Sequence, residues 1–175
     1  MQHYLVVSTL IESSSDIIRT FSKLSRTSGC SILECRFSVH GQELSVTMYL
    51  SGTWDAIAKM EDMLAKLSKE HDTPVISKRT RQTDLPGDAM PYAIDVVGAD
   101  QHGIIDDMTD FMISNELTIR DMSSHTYQAS QTGASMFSLH MTINIPLDAS
   151  IAAIRGEFID FCDRLNLDAI MEPVK

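Results

Sequence analysis

Long apolar runs are missing from this 175-residue chain. No stretch approaches the roughly 18 consecutive apolar residues that a membrane-spanning helix requires. The opening residues, Met1-Gln2-His3-Tyr4, carry no basic stretch leading into an apolar segment, so no secretory leader is expected. Cysteine is scarce and odd in number: Cys30, Cys35 and Cys162 form no CxxC pair. That argues against a disulfide framework and a structural zinc site, and it makes a reducing cytoplasm the expected location. Basic residues are in deficit, with 14 Lys and Arg against 24 Asp and Glu, for a formal net charge of −10. The deficit is uneven. Residues 1–88 hold 10 basic and 11 acidic side chains, whereas residues 89–175 hold 4 and 13. An acidic second half is a poor surface for phosphate backbones, so direct nucleic-acid binding is not expected. The one basic cluster, Lys78-Arg79-Thr80-Arg81, reads as a solvated strand end or linker.

Catalytic signatures are also absent. The six histidines (His3, His40, His71, His102, His125 and His140) form no HExxH motif. His102 near Asp100 reads as a loop histidine rather than a base with its orienter. His125 and His140, on neighbouring strands, read as a cross-strand pair rather than a metal site. Ser13-Ser14-Ser15 lacks the glycines of a nucleophile elbow, and no phosphate loop or dinucleotide fingerprint is present. Cys30 and Cys35 read as packing thiols rather than a redox switch. No enzyme activity, metal or cofactor is expected. Hydrophobic residues make up 43% and charged residues 22% of the chain, ordinary values for a soluble globular protein.

What is present is one pattern written twice. Thr83 to Pro91 holds two prolines, a glycine and two acids without periodicity, and reads as a linker. Before it come a short apolar strand at Tyr4–Val7 and serine N-cap chemistry at Ser13–Ser15. A helical stripe follows at Ile17, Ile18, Phe21 and Leu24, closed by Ser28-Gly29. Leu33, Cys35, Phe37 and Val39 alternate, as do Leu44, Val46, Met48 and Leu50, with Gly41-Gln42 as the hairpin turn. A second helix carries Trp54, Ile57, Met60, Leu64 and Leu67, and Pro74-Val75-Ile76 is a last strand. At an offset of about 87 residues the order repeats. Tyr92, Ile94 and Val96 form a strand, and Ile104, Ile105, Met108, Phe111 and Met112 a helix. The strands Leu117–Tyr127 and Phe137–Ile145 flank a longer loop at Gln128–Gly133. A helix opened by Pro146-Leu147-Asp148 carries Ile151, Ile154, Phe158, Phe161 and Leu165, and the strand Asp168–Met171 closes the chain. Each half therefore reads β-α-β-β-α-β, the ferredoxin-like order. The expected fold is α+β: domains at 1–82 and 92–175, joined by a linker at 83–91, each an antiparallel sheet with helices on one face. Most of the eleven methionines fall on the apolar stripes and read as core.

The segment best suited to bind something is Val97-Gly98-Ala99-Asp100-Gln101-His102-Gly103-Ile104-Ile105, between strand and helix of the second copy. Glycine permits close approach of a ligand to backbone. A helix N-terminus offers unpaired N–H groups and the positive end of its dipole, which suit a small carboxylate. The Asp100 carboxylate suits an ammonium group. Together they would hold a zwitterion such as an amino acid. By spacing alone, a plain strand-to-helix turn with Asp100 as its cap is the favoured reading of the same residues.

The element order, together with Gly98, Asp100, Gly103 and Ile104 in a G-x-D-x-x-G-I turn after the first strand, resembles the ACT domain, a small-molecule regulatory module. The resemblance covers essentially the whole chain as two copies. It implies a non-enzymatic protein that senses a small, glycine-like amino acid and acts through protein partners in transcriptional control of amino-acid metabolism. It implies ligand residues at Gly98, Asp100, Gln101, His102, Gly103 and Ile104, with Asn115 and Thr118 near the start of the next strand. The implied partners are a small amino acid, a transcription factor and a second copy in a homodimer, without nucleic acid or membrane. Where the family often has arginine-proline, this chain has Gln101-His102, which loosens the turn and removes a fixed cation. The matching loop of the first copy, Ser8 to Asp16, has neither glycine, so that copy is expected to be structural. A ligand-free assembly module is the alternative reading of the whole.

Overall fold

A computed structural model describes residues 1–13, 15–82 and 89–174. The chain divides into two compact units, Met1–Thr83 and Asp84–Lys175. The first unit runs β1 (His3–Glu12), α1 (Ser15–Ser28), β2 (Ser31–His40), β3 (Glu43–Gly52), α2 (Trp54–Glu70) and β4 (Val75–Thr80). The second runs β5 (Ala89–Ala99), α3 (Ile104–Ser114), β6 (Thr118–Gln128), β7 (Ser135–Pro146), α4 (Ile151–Arg164) and β8 (Leu167–Pro173). Each is an antiparallel four-stranded sheet, ordered β2-β3-β1-β4 and β6-β7-β5-β8. The α+β class and the doubled βαββαβ order are those expected from the residue pattern. β5 begins at Ala89, so residues 89–91, expected in the linker, are strand. The rest of the expected linker, 83–88, and Ser14 of the serine cap lie outside the described residues.

Period-two alternation gives each sheet one apolar face, and two amphipathic helices bury it. In the first unit Leu5, Val7, Val46, Met48 and Leu50 lie beneath Phe21, Ile57, Met60 and Leu64. In the second, Ile94, Val96, Leu139, Met141 and Ile143 lie beneath Met108, Met112 and Phe158. Six methionines, Met48, Met60, Met108, Met112, Met141 and Met171, are core residues. Capping follows local chemistry: the Thr53 Oγ1 accepts from Ala56 N at 3.2 Å and opens α2. Gly29, at φ +84°, closes α1 in the left-handed region that favours glycine.

Several expected positions differ. Ile18 and Trp54 are exposed rather than part of the helical stripes, because Ile17 and Ile57 already fill those turns. Trp54 instead lies under the Arg79 guanidinium, 5.6 Å from the ring centroid. Arg79 also donates to both Glu61 carboxylate oxygens at 2.9 and 2.7 Å, and that hydrogen bonding holds the Glu61 carboxyl below its usual range. β4 thus extends through the basic cluster as far as Thr80. On β2, Leu33 and Val39 are 51% and 61% exposed despite their alternation. β2 is an edge strand, and a bulge between Ile32 and Glu34 shifts its register. α4 begins at Ile151, capped by Ser150, not at Pro146. Pro146 ends β7, where its missing N–H is tolerated.

The three cysteines are free thiols. Burial first, and the Asp163 charge second, push Cys162 up to about 12, so it is a neutral packing group. His125 and His140 do not face each other: His140 pairs with Asp95 at 2.7 Å, while His125 lies beside Tyr127. Among the described residues no helix is long and apolar enough to cross a membrane, and no group of three or more His, Cys, Asp or Glu side chains could hold a metal ion. Phe158 is fully buried at the centre of the second core. Truncation to alanine is expected to destabilise that unit by about 3–5 kcal/mol, measured as lost amide-exchange protection in β5 and β7.

Candidate functional site

The second unit has a cavity of about 780 Å³ where β5 hands over to α3. Its walls are the turn Asp100–Gly103, the α3 residues Ile104, Ile105, Asp106 and Thr109, and the β6 side chains Ser124 and Thr126, with Phe137 of β7. The turn is fixed at both edges. Asp100 N donates to Ser135 O at 3.0 Å, extending the β5–β7 ladder by one bond. Gln101 Nε2 donates to Leu165 O at 3.1 Å, satisfying an otherwise orphaned carbonyl at the end of α4.

Gly103 is the N-cap of α3, at φ +91°, and no side chain caps the helix. An added Cβ at Gly103 would meet nothing within 4 Å, so glycine stands there for its backbone conformation and the space beside it is open. The first helical hydrogen bond is Asp107 N to Gly103 O at 3.0 Å, so the N–H groups of Ile104, Ile105 and Asp106 have no intrahelical acceptor. Asp100 does not cap the helix. Its Oδ2 accepts a long hydrogen bond from Ser135 Oγ at 3.4 Å, which leaves acceptor capacity in an exposed carboxylate. Free N–H donors at a helix end and a nearby carboxylate form two poles of opposite sign.

The expected site residues are not all brought together. Asp100, Gln101, His102, Gly103 and Ile104 line the cavity. One N–H of the Gln101 amide is engaged by α4, so this side chain anchors the turn as well as lining the cavity. Gly98 does not line the cavity. A Cβ there would sit 2.4 Å from Leu167 Cδ2 and 3.2 Å from Asn166 O, so this glycine lets β8 enter the sheet. Asn115 and Thr118 are also elsewhere. Asn115 closes α3, its Nδ2 donating to Phe111 O at 2.9 Å, and Thr118 pairs with Asn144 at the start of β6. Asn115 and Thr118 belong to the opposite end of α3 from the turn.

Ser124 and Thr126 went unrecognised in the sequence. They face the helix side of the sheet, since Ser124 pairs with Leu139 and Thr126 with Phe137, both buried. A core-facing register that turns from Ile119 and Met122 to two hydroxyls was the available signal. The Thr109 hydroxyl is already bonded to Ile105 O and Asp106 O, each at 2.9 Å. In the first unit, matching register positions hold different side chains. Phe37 and Val39 pair with Val46 and Leu44, in place of Ser124 and Thr126, and Ile11 stands where Gly98 does. The corresponding surface is apolar.

Gly98→Ala is expected to destabilise the second unit by about 1–3 kcal/mol through overpacking against Leu167. Gly103→Ala, with open space but a positive φ, is expected to cost about 1–2 kcal/mol from backbone strain alone. Pairing each with Leu167→Ala distinguishes them by chemical denaturation: the clash at position 98 should be relieved, and the strain at position 103 should not.

The ACT domain model matches residues 3–76, which lie in the first unit, the copy that lacks both turn glycines. Over 167 residues the chain is 30% identical to the glycine cleavage system transcriptional repressors of Escherichia coli (strain K12) and Shigella flexneri. The alignment spans 94% of this chain and 87% of each relative. The crystal structure of a candidate glycine cleavage system transcriptional repressor shares the fold, with a TM-score of 0.71 at 21% identity, over 100% of this chain and 99% of that one. An unassigned protein from Galdieria sulphuraria also shares it, with a TM-score of 0.76 at 17% identity, over 100% of both chains. The chain belongs to the family of the glycine cleavage system transcriptional repressor, a family of tandem ACT-domain proteins.

Proposed function

We propose that this protein is a non-enzymatic regulator that binds a small amino acid in the second unit and thereby changes its affinity for a protein partner in transcriptional control. The observation that carries the reading is the uncapped N-terminus of α3 opening on a cavity beside the Asp100 carboxylate. The ligand carboxylate takes the N–H groups of Ile104 and Ile105, and its ammonium takes Asp100. His102 stands exposed on the same turn. The relatives are named for repression of the glycine cleavage system, which points to control of amino-acid metabolism and makes glycine the first candidate to test. A second unit with 4 basic and 13 acidic residues is a weak competitor for DNA, so the regulator acts through protein. Three free thiols, one of them exposed, suit a reducing cytoplasm. The two units are domains divided by residues 83–88, and the working form is a homodimer.

A ligand-free assembly role has its own support in the first unit, where the β2 edge exposes Ile32, Leu33 and Val39. The two roles are compatible, one in each unit. They separate by thermal denaturation with glycine, alanine and serine at millimolar concentrations. An amino acid present at 100 times its Kd stabilises the folded state by about 2.7 kcal/mol. At least one of the three is expected to raise the Tm, and Asp100→Ala is expected to weaken that amino acid at least tenfold. Unchanged melting with all three, at concentrations up to tens of millimolar, contradicts the sensing role and leaves assembly.

A further inference from the structure

The charge and polarity of the cavity say more than that it holds an amino acid. Its lining includes two carboxylates, Asp100 and Asp106, and no lysine or arginine among the described residues. Asp106 lies in the first turn of α3, beside the N–H groups proposed to hold the ligand carboxylate. The unit as a whole carries a net charge of −9 over residues 89–175, and that field adds to the local one. A zwitterion neutralises itself between the helix end and Asp100. A second carboxylate on the ligand would add negative charge to a recess whose lining already holds Asp100 and Asp106. The wall supplied by β6 adds a second constraint. Ser124 and Thr126 carry hydroxyls with no hydrogen-bond partner among the described residues, exposed to the cavity on the helix-facing side of the sheet. A cavity of about 780 Å³ is far larger than a glycine-sized ligand fills. A side chain with its own hydrogen-bonding group extends from the turn toward those hydroxyls.

We infer that the pocket selects amino acids with an uncharged polar or cationic side chain, read by Ser124 and Thr126, and rejects dicarboxylic ones through Asp106. The inference rests on the amino-acid-sensing reading above and narrows it. In the first unit the same register places Phe37 and Val39 where the hydroxyls stand, so the selectivity belongs to the second unit alone.

Isothermal titration of the full chain at low ionic strength with serine, alanine, lysine and aspartate tests it. Serine or lysine is expected to bind at least tenfold more tightly than aspartate. In Asp106→Asn the aspartate penalty is expected to shrink several-fold, and raised salt should shrink it in the wild type. In the double variant Ser124→Ala, Thr126→Val, which substitutes exposed residues, the advantage of serine over alanine is expected to vanish while alanine binding persists. Aspartate binding as tightly as serine, or a serine advantage unchanged in the double variant, overturns this inference and leaves amino-acid sensing standing. Failure of all four, and of glycine titrated alongside them, to bind overturns sensing itself, whereas glycine binding without any preference among the four overturns this inference alone.

Discussion

The first turn of α3 starts without a cap, and the surrounding structure is arranged around that fact. A helix end leaves four N–H groups without intrahelical partners, and a side chain or water normally meets them. Here Gly103 turns the chain in the left-handed region and places no side chain over the end. Asp100, the natural candidate for a cap, is held back on Ser135. The turn cannot relax toward the helix, because the Asp100 amide is bonded to β7 and the Gln101 side chain to α4. The result is a set of donors facing a cavity, held by a hydrophobic core whose Ile104 and Phe137 reach the cavity wall. Preorganisation of this kind removes part of the ordering cost of binding a small ligand.

Duplication supplies an internal comparison. Both units have the same sheet order and the same register between their central strands, so their positions correspond one to one. The cores are interchangeable in character, with aliphatic and methionine side chains beneath two helices. The divergence lies at one end of the sheet. Where the second unit has Gly98, Ser124 and Thr126, the first has Ile11, Phe37 and Val39. The backbone there is shared: Ser13 N bonds to Gln42 O in the first unit as Asp100 N bonds to Ser135 O in the second, so the difference lies in the side chains. One fold therefore carries a polar recess in one copy and an apolar surface in the other. A division of labour between binding a metabolite and binding a protein would draw on those two surfaces.

Much of this was legible in the residue pattern, and the exceptions have physical causes. Strands such as Leu44–Leu50 and Phe137–Ile145 alternate so strictly that a buried face was the only economical reading, and all these alternate residues are buried. Alternation failed on β2, because it reports which way a side chain points and not whether a helix reaches far enough to cover it. Trp54 and Ile18 misled for a related reason: a stripe in a helix is wider than the strip that touches the sheet. At the site, Gly103 was legible as the opening of a helix where another group can approach the backbone; its left-handed φ was not. Gly98 was legible as a required glycine, but its requirement comes from Leu167, a residue about 70 positions away that no local motif can reveal. Ser124 and Thr126 carry no motif at all. They become visible only when pairing with Leu139 and Phe137 shows which face they occupy.

The central claim is that the free N–H groups of α3 receive a ligand carboxylate. Amide NMR of the 15N-labelled chain, titrated with glycine and then serine, observes those groups directly. The account predicts saturable downfield shifts at Ile104 and Ile105, with the matching α1 amides of the first unit unmoved. Static Ile104 and Ile105 resonances at amino-acid concentrations that shift other amides would contradict it, because binding would then lie elsewhere.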